Sequence, residues 1–378
     1  MNIAYIADAN CNHGFRWVDY FSKENEVIII CLASQKENNL YINHPSVKVF
    51  AILPDVFPLK NILKKNKITG QIKTILKENH STVVHSMYAV PYSFYGYLSA
   101  FKNHIITTRG SDVFVNYKTF TEGAKKTIAH FLLKKLFEKS FNKARYIAFD
   151  SYTQKTKIES FLKDKQKGTV IRMGVNLNPF INHALTESQK NEVVVFSNRS
   201  MTALYNIHKI IAAIKIIKDK HPELKIKLKT INYYGVESYL KKIRRQIADL
   251  KLNEDVEILK SATVPELVKH YFNSDVVIMI PSSDGSAVSG AEAMLMKKPL
   301  IIGPIDYDKD LYNNETVWQL ADFNPYTIAN GIMELLQLTK QDIVLKTQKA
   351  FKSATENADF EKEILKLKKV YHSVDERT

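Results

Sequence analysis

Two carboxylates and an arginine stand out by the company they keep. Residues 275–302 read as an apolar strand (DVVIMI), a loop (PSSDGSAV), a helix (SGAEAMLMKK) and a second strand (PLII). In such a unit, the loop that leaves a strand and enters a helix is where ligands bind. The amides of Ser286, Ala287, Val288 and Ser289, just past Gly285, fall near the helix N-terminus, where orphan N–H groups and the helix dipole favour phosphate oxygens. Asp284 stands on the loop and Glu292 about one turn into the helix. A loop carboxylate there can accept hydrogen bonds from sugar hydroxyls, and a helix carboxylate can grip a ribose diol. An ordinary helix N-terminus with an acidic first turn is the plain alternative, and residue types alone leave both open. Arginine is scarce, eight residues against 46 lysines, yet Arg109, Arg172 and Arg199 all fall in inferred loops. A planar fork suits a diphosphate better than lysine does. For Arg109 an ion pair with Asp112 is the competing reading.

These residues need strands and helices to hold them. Apolar runs that fit strands occur at 2–7, 26–32, 47–53, 82–85, 104–108, 145–149, 169–172, 192–196, 225–231, 255–259, 275–280 and 299–302. Helical periods lie between them, such as Ile207, Ile210, Ile211, Ile214 and Ile217. A capping Thr263 with Glu266 three residues on opens another helix. Strand–helix alternation with apolar strands implies parallel sheets covered on both faces. The pattern breaks once, where Gly174, Asn176, Asn178 and Pro179 cluster. The expected organisation is therefore α/β: two doubly wound Rossmann-like domains facing a central cleft.

Composition narrows the chemistry further. A chain of 378 residues, 45% hydrophobic and 25% charged, suits two globular domains and excludes disorder. Glycine-rich dinucleotide and P-loop patterns, zinc-protease motifs and the hydrolase nucleophile elbow are all missing. Two cysteines, Cys11 and Cys31, suit a reducing compartment, and no apolar run of 18 residues is present. The N-terminus shows no leader pattern, so a cytoplasmic location is expected. The Asp306–Asp308–Asp310 run reads as a solvated acidic loop rather than a metal site, and His85 and His130 as packed or surface residues.

Charge is uneven. Residues 1–180 carry 26 basic against 13 acidic residues, a net of +13, and the other 198 carry 28 against 26, a net of +2. Lys60–Lys77 and Lys125–Arg145 read as basic amphipathic helices of the kind that lie on anionic membrane. Nucleic acid is disfavoured, because base readout leans on arginine forks.

The segment PSSDGSAVSGAEAMLMKKPLII resembles the donor-site motif of retaining glycosyltransferases of family four, which have the GT-B fold. VIRMGVNLNPF is similar to that family's hinge, VVVFSNRS to the strand and loop that deliver a phosphate-binding arginine, and TVVHSMY and HIITTRGSDVF to its acceptor-side loops. The resemblance implies a domain over 1–174 on the acceptor side, a donor domain over 175–355, and a helix over 356–378 returning to the first. It implies transfer of a sugar from a UDP- or GDP-linked donor, with retention and without a metal or other cofactor. The acceptor would be a sugar or a lipid-linked glycan. Arg199, Asp284, Gly285, Ser286, Ala287, Val288, Ser289 and Glu292 would bind the donor. Arg199, Asp284 and Arg109 would be catalytic, and His13, Gly14, Arg16, Arg109 and Asp112 would line the acceptor side. Three departures stand out. No lysine follows Arg199 closely, Arg109 replaces a histidine before Gly-Ser-Asp, and Asn12–Arg16 lacks paired glycines. A sugar-nucleotide epimerase and an inactive membrane-bound scaffold are the alternatives.

Overall fold

A computed structural model describes residues 1–57, 67–119, 128–186, 191–233 and 235–376. The chain divides into two units, Met1–Met173 with Lys362–Thr378, and Gly174–Glu361. The first contains β1 (Asn2–Ile6), β2 (Glu26–Leu32), β3 (Val47–Leu53), β4 (Val83–Met87), β5 (His104–Thr107), β6 (Tyr146–Phe149) and β7 (Gly168–Val170). Their order is β3-β2-β1-β4-β5-β6-β7, and each pairing is parallel. The second contains β8 (Val193–Ser197), β9 (Ile226–Ile231), β10 (Val256–Leu259), β11 (Val276–Met279), β12 (Leu300–Ile302) and β13 (Trp318–Gln319), in the parallel order β10-β9-β8-β11-β12-β13. The first twelve strands lie within two residues of the runs expected from apolar patterning. The edge strand β13 was not among them, because two residues carry no periodicity.

Strand order reverses beside β1 in one sheet and beside β8 in the other. The crossovers diverge to opposite faces there, which opens a crevice at the carboxyl ends of the flanking strands. Alternation along β8 shows both faces covered. Val195 packs with Ile210, Ile211 and Ile214 of the helix Ile207–Lys220, while Phe196 packs with Tyr271, Met279 and Met294. Full burial of each such isoleucine contributes roughly 1.5–3 kcal/mol.

Two short segments meet at the boundary of the second unit. The Val175 N–H donates to the Ala358 carbonyl at 2.6 Å, and the Phe360 N–H donates to the Val175 carbonyl at 3.0 Å. Gly174 sits at φ +64°, and a Cβ there would lie 2.6 Å from Phe360 Cα. Only glycine meets both demands. The helix Phe360–Asp375 then enters the first unit, where Tyr371 packs on Phe21 with ring centroids 4.6 Å apart. The Tyr371 hydroxyl donates to that of Tyr5 at 2.9 Å and lies 2.5 Å from His85 Nδ1.

Of the two basic stretches, the structure shows the helices Lys67–Glu78 and Ile128–Lys143; Lys60–Asn66 and Lys125–Thr127 lie outside the described residues. The second helix buries Leu136, Phe137 and Phe141 but leaves Ile128 82% and Phe131 54% exposed. Among the described residues no helix is long and apolar enough to cross a membrane.

His85 and His104 are buried, so His85 is packed as expected. Burial pushes the pKa of His85 well below the usual imidazole range and lowers that of His104 to about 3. The unfolded chain protonates each near pH 6.5 and the folded chain does not, so stability is full above about 6.5 and falls as the pH drops. The slope approaches about 1.4 kcal/mol per pH unit for each histidine. Urea midpoints measured from pH 7 down to 5 should fall accordingly, and His104→Gln should flatten the slope.

Candidate active site

The strands flanking the second switch point lead into the segments that carry Arg199, Asp284 and Glu292. Arg199 follows β8 by two residues, and Asp284 lies on the loop between β11 and the helix Val288–Leu295. Arg199 Nη2 donates to Asp284 Oδ2 at 2.5 Å and Nη1 to Ser289 Oγ at 2.9 Å. The guanidinium carbon also lies 4.1 Å from the centre of the Tyr205 ring. Burial works against the charged form, but Asp284, with smaller effects from Tyr205 and Tyr307, raises the Arg199 pKa above its ordinary value. The other oxygen of Asp284 accepts from the Gly285 N–H at 2.8 Å, so that amide is occupied. The amides of Ser286, Ala287, Val288 and Ser289 have no acceptor among the described residues.

Glu292 is held from the opposite side. Its Oε2 accepts from Asn198 Nδ2 at 2.9 Å and lies 2.9 Å from the Tyr271 hydroxyl. Burial, and then the Glu292 charge, raise the Tyr271 pKa far above its usual value, which keeps the phenol a donor. Asn206 joins the two loops. It adopts φ 54°, and its Nδ2 donates to the Ile280 carbonyl at 2.8 Å and to Ser282 Oγ at 2.9 Å. Asparagine tolerates this left-handed backbone better than most residues.

Around the same strand ends lie buried polar atoms without partners: Ser197 Oγ, Asn198 Oδ1, Arg199 Nε, Thr202 Oγ1, Thr230 Oγ1, Asn232 Oδ1 and Ser283 Oγ. Native folds rarely tolerate such groups away from a functional site. The acidic run beyond is exposed at Asp306 and Asp310, as expected, and departs from expectation at Asp308. Asp308 is fully buried rather than solvated, held in a turn where its carbonyl accepts from the Leu311 and Tyr312 N–H groups. Among the described residues no cluster of three His, Cys, Asp or Glu could hold a metal ion.

In the first unit the expected acceptor-side residues lie on two segments, the helix Asn12–Ser22 and the stretch that follows β5. Asn12–Arg16 opens the helix Asn12–Ser22 instead of forming a loop, so Gly14 is a buried helical residue while His13 is exposed and Arg16 half-buried. Asp112 is not a carboxylate that faces a ligand. It is fully buried and accepts from the N–H groups of Ala89 at 2.7 Å, Arg109 at 3.0 Å and Val113 at 3.0 Å. The ion pair considered for Arg109 is therefore not formed: Asp112 accepts from the Arg109 backbone N–H, and the guanidinium carbon lies 4.7 Å from the centre of the Trp17 ring. Arg172 is buried, with its N–H donating to Glu363 Oε2 at 2.8 Å.

Solved structures share this architecture. Sucrose-phosphate synthase from Thermosynechococcus elongatus aligns with a TM-score of 0.80 at 14% identity, over 100% of both chains. Anabaena Alr3699/HepE, solved in complex with UDP, aligns at 0.75 and 14% identity over 99% of this chain and 100% of its own. A glycosyltransferase from Rickettsia africae aligns at 0.72 and 16% over 99% and 98%. No curated protein matches the sequence. The family models decide further: a glycosyl transferase 4-like model matches residues 2–151, and a glycosyl transferases group 1 model matches residues 179–357. The chain is a GT-B glycosyltransferase.

Several residues that shape this candidate site of the glycosyltransferase escaped the sequence reading. Tyr271, Asn198 and Asn206 are ordinary residue types on separate segments, with no local pattern to mark them. Gly290 lay within the motif, and its reason is steric. A Cβ there would come within 2.7 Å of both Met279 Cε and the Tyr312 hydroxyl, which donates to the Ala287 carbonyl. Gly290→Ala should therefore overpack the helix N-terminus and cost about 1–3 kcal/mol, read as a lower urea midpoint.

Proposed function

We propose that this glycosyltransferase takes its sugar from a nucleoside diphosphate donor bound by the second unit, and transfers it with retention to a sugar or lipid-linked glycan. The observation that carries the reading is the Arg199–Asp284–Ser289 cluster beside Glu292 at the switch point. Charge builds on the departing diphosphate as the glycosidic bond breaks. Arg199 and the amides of Ser286 to Ser289 are placed to stabilise it, which is the largest single contribution in many transferases. Asp284 would hold the donor sugar and Glu292 the ribose diol. The hydroxyl and amide groups that lack partners among the described residues, on or just past the ends of β8 and β9 and at Ser283 beyond β11, offer mixed donors and acceptors, as a nucleoside requires. A uridine donor is favoured over guanosine because Alr3699/HepE was solved with UDP, with UDP and glucose, and with UDP-glucose. With Arg199 as the cation, the reaction needs no divalent ion. His13, Gly14, Arg16 and Arg109 of the first unit would serve the acceptor.

The acceptor is taken to be presented at the cytoplasmic face of a membrane. The helix Ile128–Lys143 supports this reading, with exposed Ile128 and Phe131 and the Lys135 ammonium 4.4 Å from the Phe131 ring. Both cysteines are free, which fits a reducing compartment.

Glu292→Ala should weaken UDP binding by about 1.5–3 kcal/mol, the usual worth of a hydrogen bond to a charged group. Arg199→Ala should lower transfer more than UDP affinity, because the charge it meets grows in the transition state. Calorimetric titration and initial rates in a chelator test both; an unchanged UDP affinity in the Glu292 variant, with the fold intact, removes the assignment. Liposome flotation should show binding that rises with anionic lipid and falls with salt, since each lysine near the surface contributes about 1 kcal/mol. Reversal of Lys135 and Lys139 to Glu should weaken flotation and leave UDP affinity unchanged.

A further inference from the structure

Arg109 and Trp17 form a stacked pair of hydrogen-bond donors inside the first unit, with the guanidinium carbon 4.7 Å from the indole centre. Trp17 is fully buried, and its Nε1 has no partner; neither has Nη1 or Nη2 of Arg109, both of which are buried atoms. Three donors, one group of them charged, thus face no acceptor among the described residues. A buried donor left unmade costs roughly 1–3 kcal/mol, and more when charged, so a fold keeps such a group only for a reason.

The surroundings explain why no side chain meets them. The Asp112 carboxylate is committed to three backbone amides; Asp150 and Asp112 favour the charged guanidinium through space, but no carboxylate among the described residues hydrogen-bonds its Nη1 or Nη2. Asp150 Oδ1 accepts from the Met173 N–H at 3.2 Å. His85 is engaged on both sides, by Tyr371 at 2.5 Å and by Thr107 Oγ1 at 2.6 Å. Position adds to this. Arg109 follows β5 by two residues, and Trp17 lies on the helix that follows β1, the strand at the switch point, so both belong to the carboxyl side of the sheet, where open α/β sheets generally bind ligands. That helix has no side-chain cap and no acid in its first turn. Guanidinium groups stay charged at neutral pH even when burial lowers their pKa, as it does here.

We propose that Arg109, stacked on Trp17, receives an oxyanion borne by a substrate sugar, so that this enzyme handles an acidic sugar: a uronate or a sugar phosphate. The inference rests on the glycosyl-transfer reading and assigns the substrate class. A planar fork pairs with a carboxylate or phosphate through two parallel N–H bonds, a geometry that lysine cannot reproduce. The oxyanion belongs to the acceptor sugar, which the first unit is proposed to serve.

Calorimetry on the full chain tests it. With saturating UDP present, glucuronate or glucose 6-phosphate should bind at least tenfold more tightly than glucose. Arg109→Gln should erase the preference, Arg109→Lys should retain only part of it, and both should bind UDP as the wild type does. Trp17→Phe, which keeps the ring and loses the N–H, should reduce it in the same direction. No preference for any anionic sugar, or one that survives Arg109→Gln, overturns the proposal. Failure of UDP to bind the wild type overturns the donor reading instead, and the same glucuronate and glucose 6-phosphate titrations made without UDP then test Arg109 separately.

Discussion

A guanidinium withdrawn from water at the end of β8 is the constraint around which the second unit is arranged. The Arg199 side chain is only 12% exposed and that of Asp284 only 15%. Losing one partner of a buried ion pair costs roughly 3–5 kcal/mol, so the two loops that carry them are tied to one geometry. Asn206 reinforces the tie by binding the Ile280 carbonyl and Ser282 from the Arg199 side. Ser289 completes it from the helix N-terminus, and Gly290 lets that helix approach Tyr312 and Met279. Electrostatics, backbone conformation and packing thus converge on one place, the carboxyl edge beside the switch strand.

The first unit solves a related problem with neutral groups. Its sheet is joined to the C-terminal helix through Tyr5, Tyr371 and His85, a buried chain of hydrogen bonds. Burial keeps His85 uncharged and raises the pKa values of Tyr5 and Tyr371, so each group remains a neutral donor or acceptor at physiological pH. Neutral networks of this kind carry a smaller desolvation cost than an ion pair and fix geometry when every member is satisfied.

Most of the fold was legible because it is written in short apolar runs. A buried parallel strand needs near-continuous apolar residues, and twelve such runs marked twelve strands. The donor motif was legible for a local reason too, since a loop, a helix start and two carboxylates lie within one short segment. What the sequence concealed depends on distance. Tyr271 and Asn198 reach Glu292 across 21 and 94 residues, and no periodicity links them. The resemblance alone implied a loop over Asn12–Arg16, where the structure has a helix. Burial of Trp17, Val18 and Phe21 along one face holds that helix in place.

The two arginines nearest the strand ends make the last contrast. Both follow a strand by two residues, and both stack on an aromatic ring, Arg199 on Tyr205 at 4.1 Å and Arg109 on Trp17 at 4.7 Å. Stacking supports a cation but supplies no counter-charge, so each guanidinium still needs oxygen acceptors in its plane. Asp284 and Ser289 supply them for Arg199. The carboxylate closest in sequence to Arg109 cannot do the same, because Asp112 turns back to hold the Ala89, Arg109 and Val113 amides and so shapes the loop that presents the arginine. One acidic residue neutralises a cation and the other positions one. That difference, set by three backbone N–H groups, leaves the Arg109 fork for an oxyanion from outside the chain.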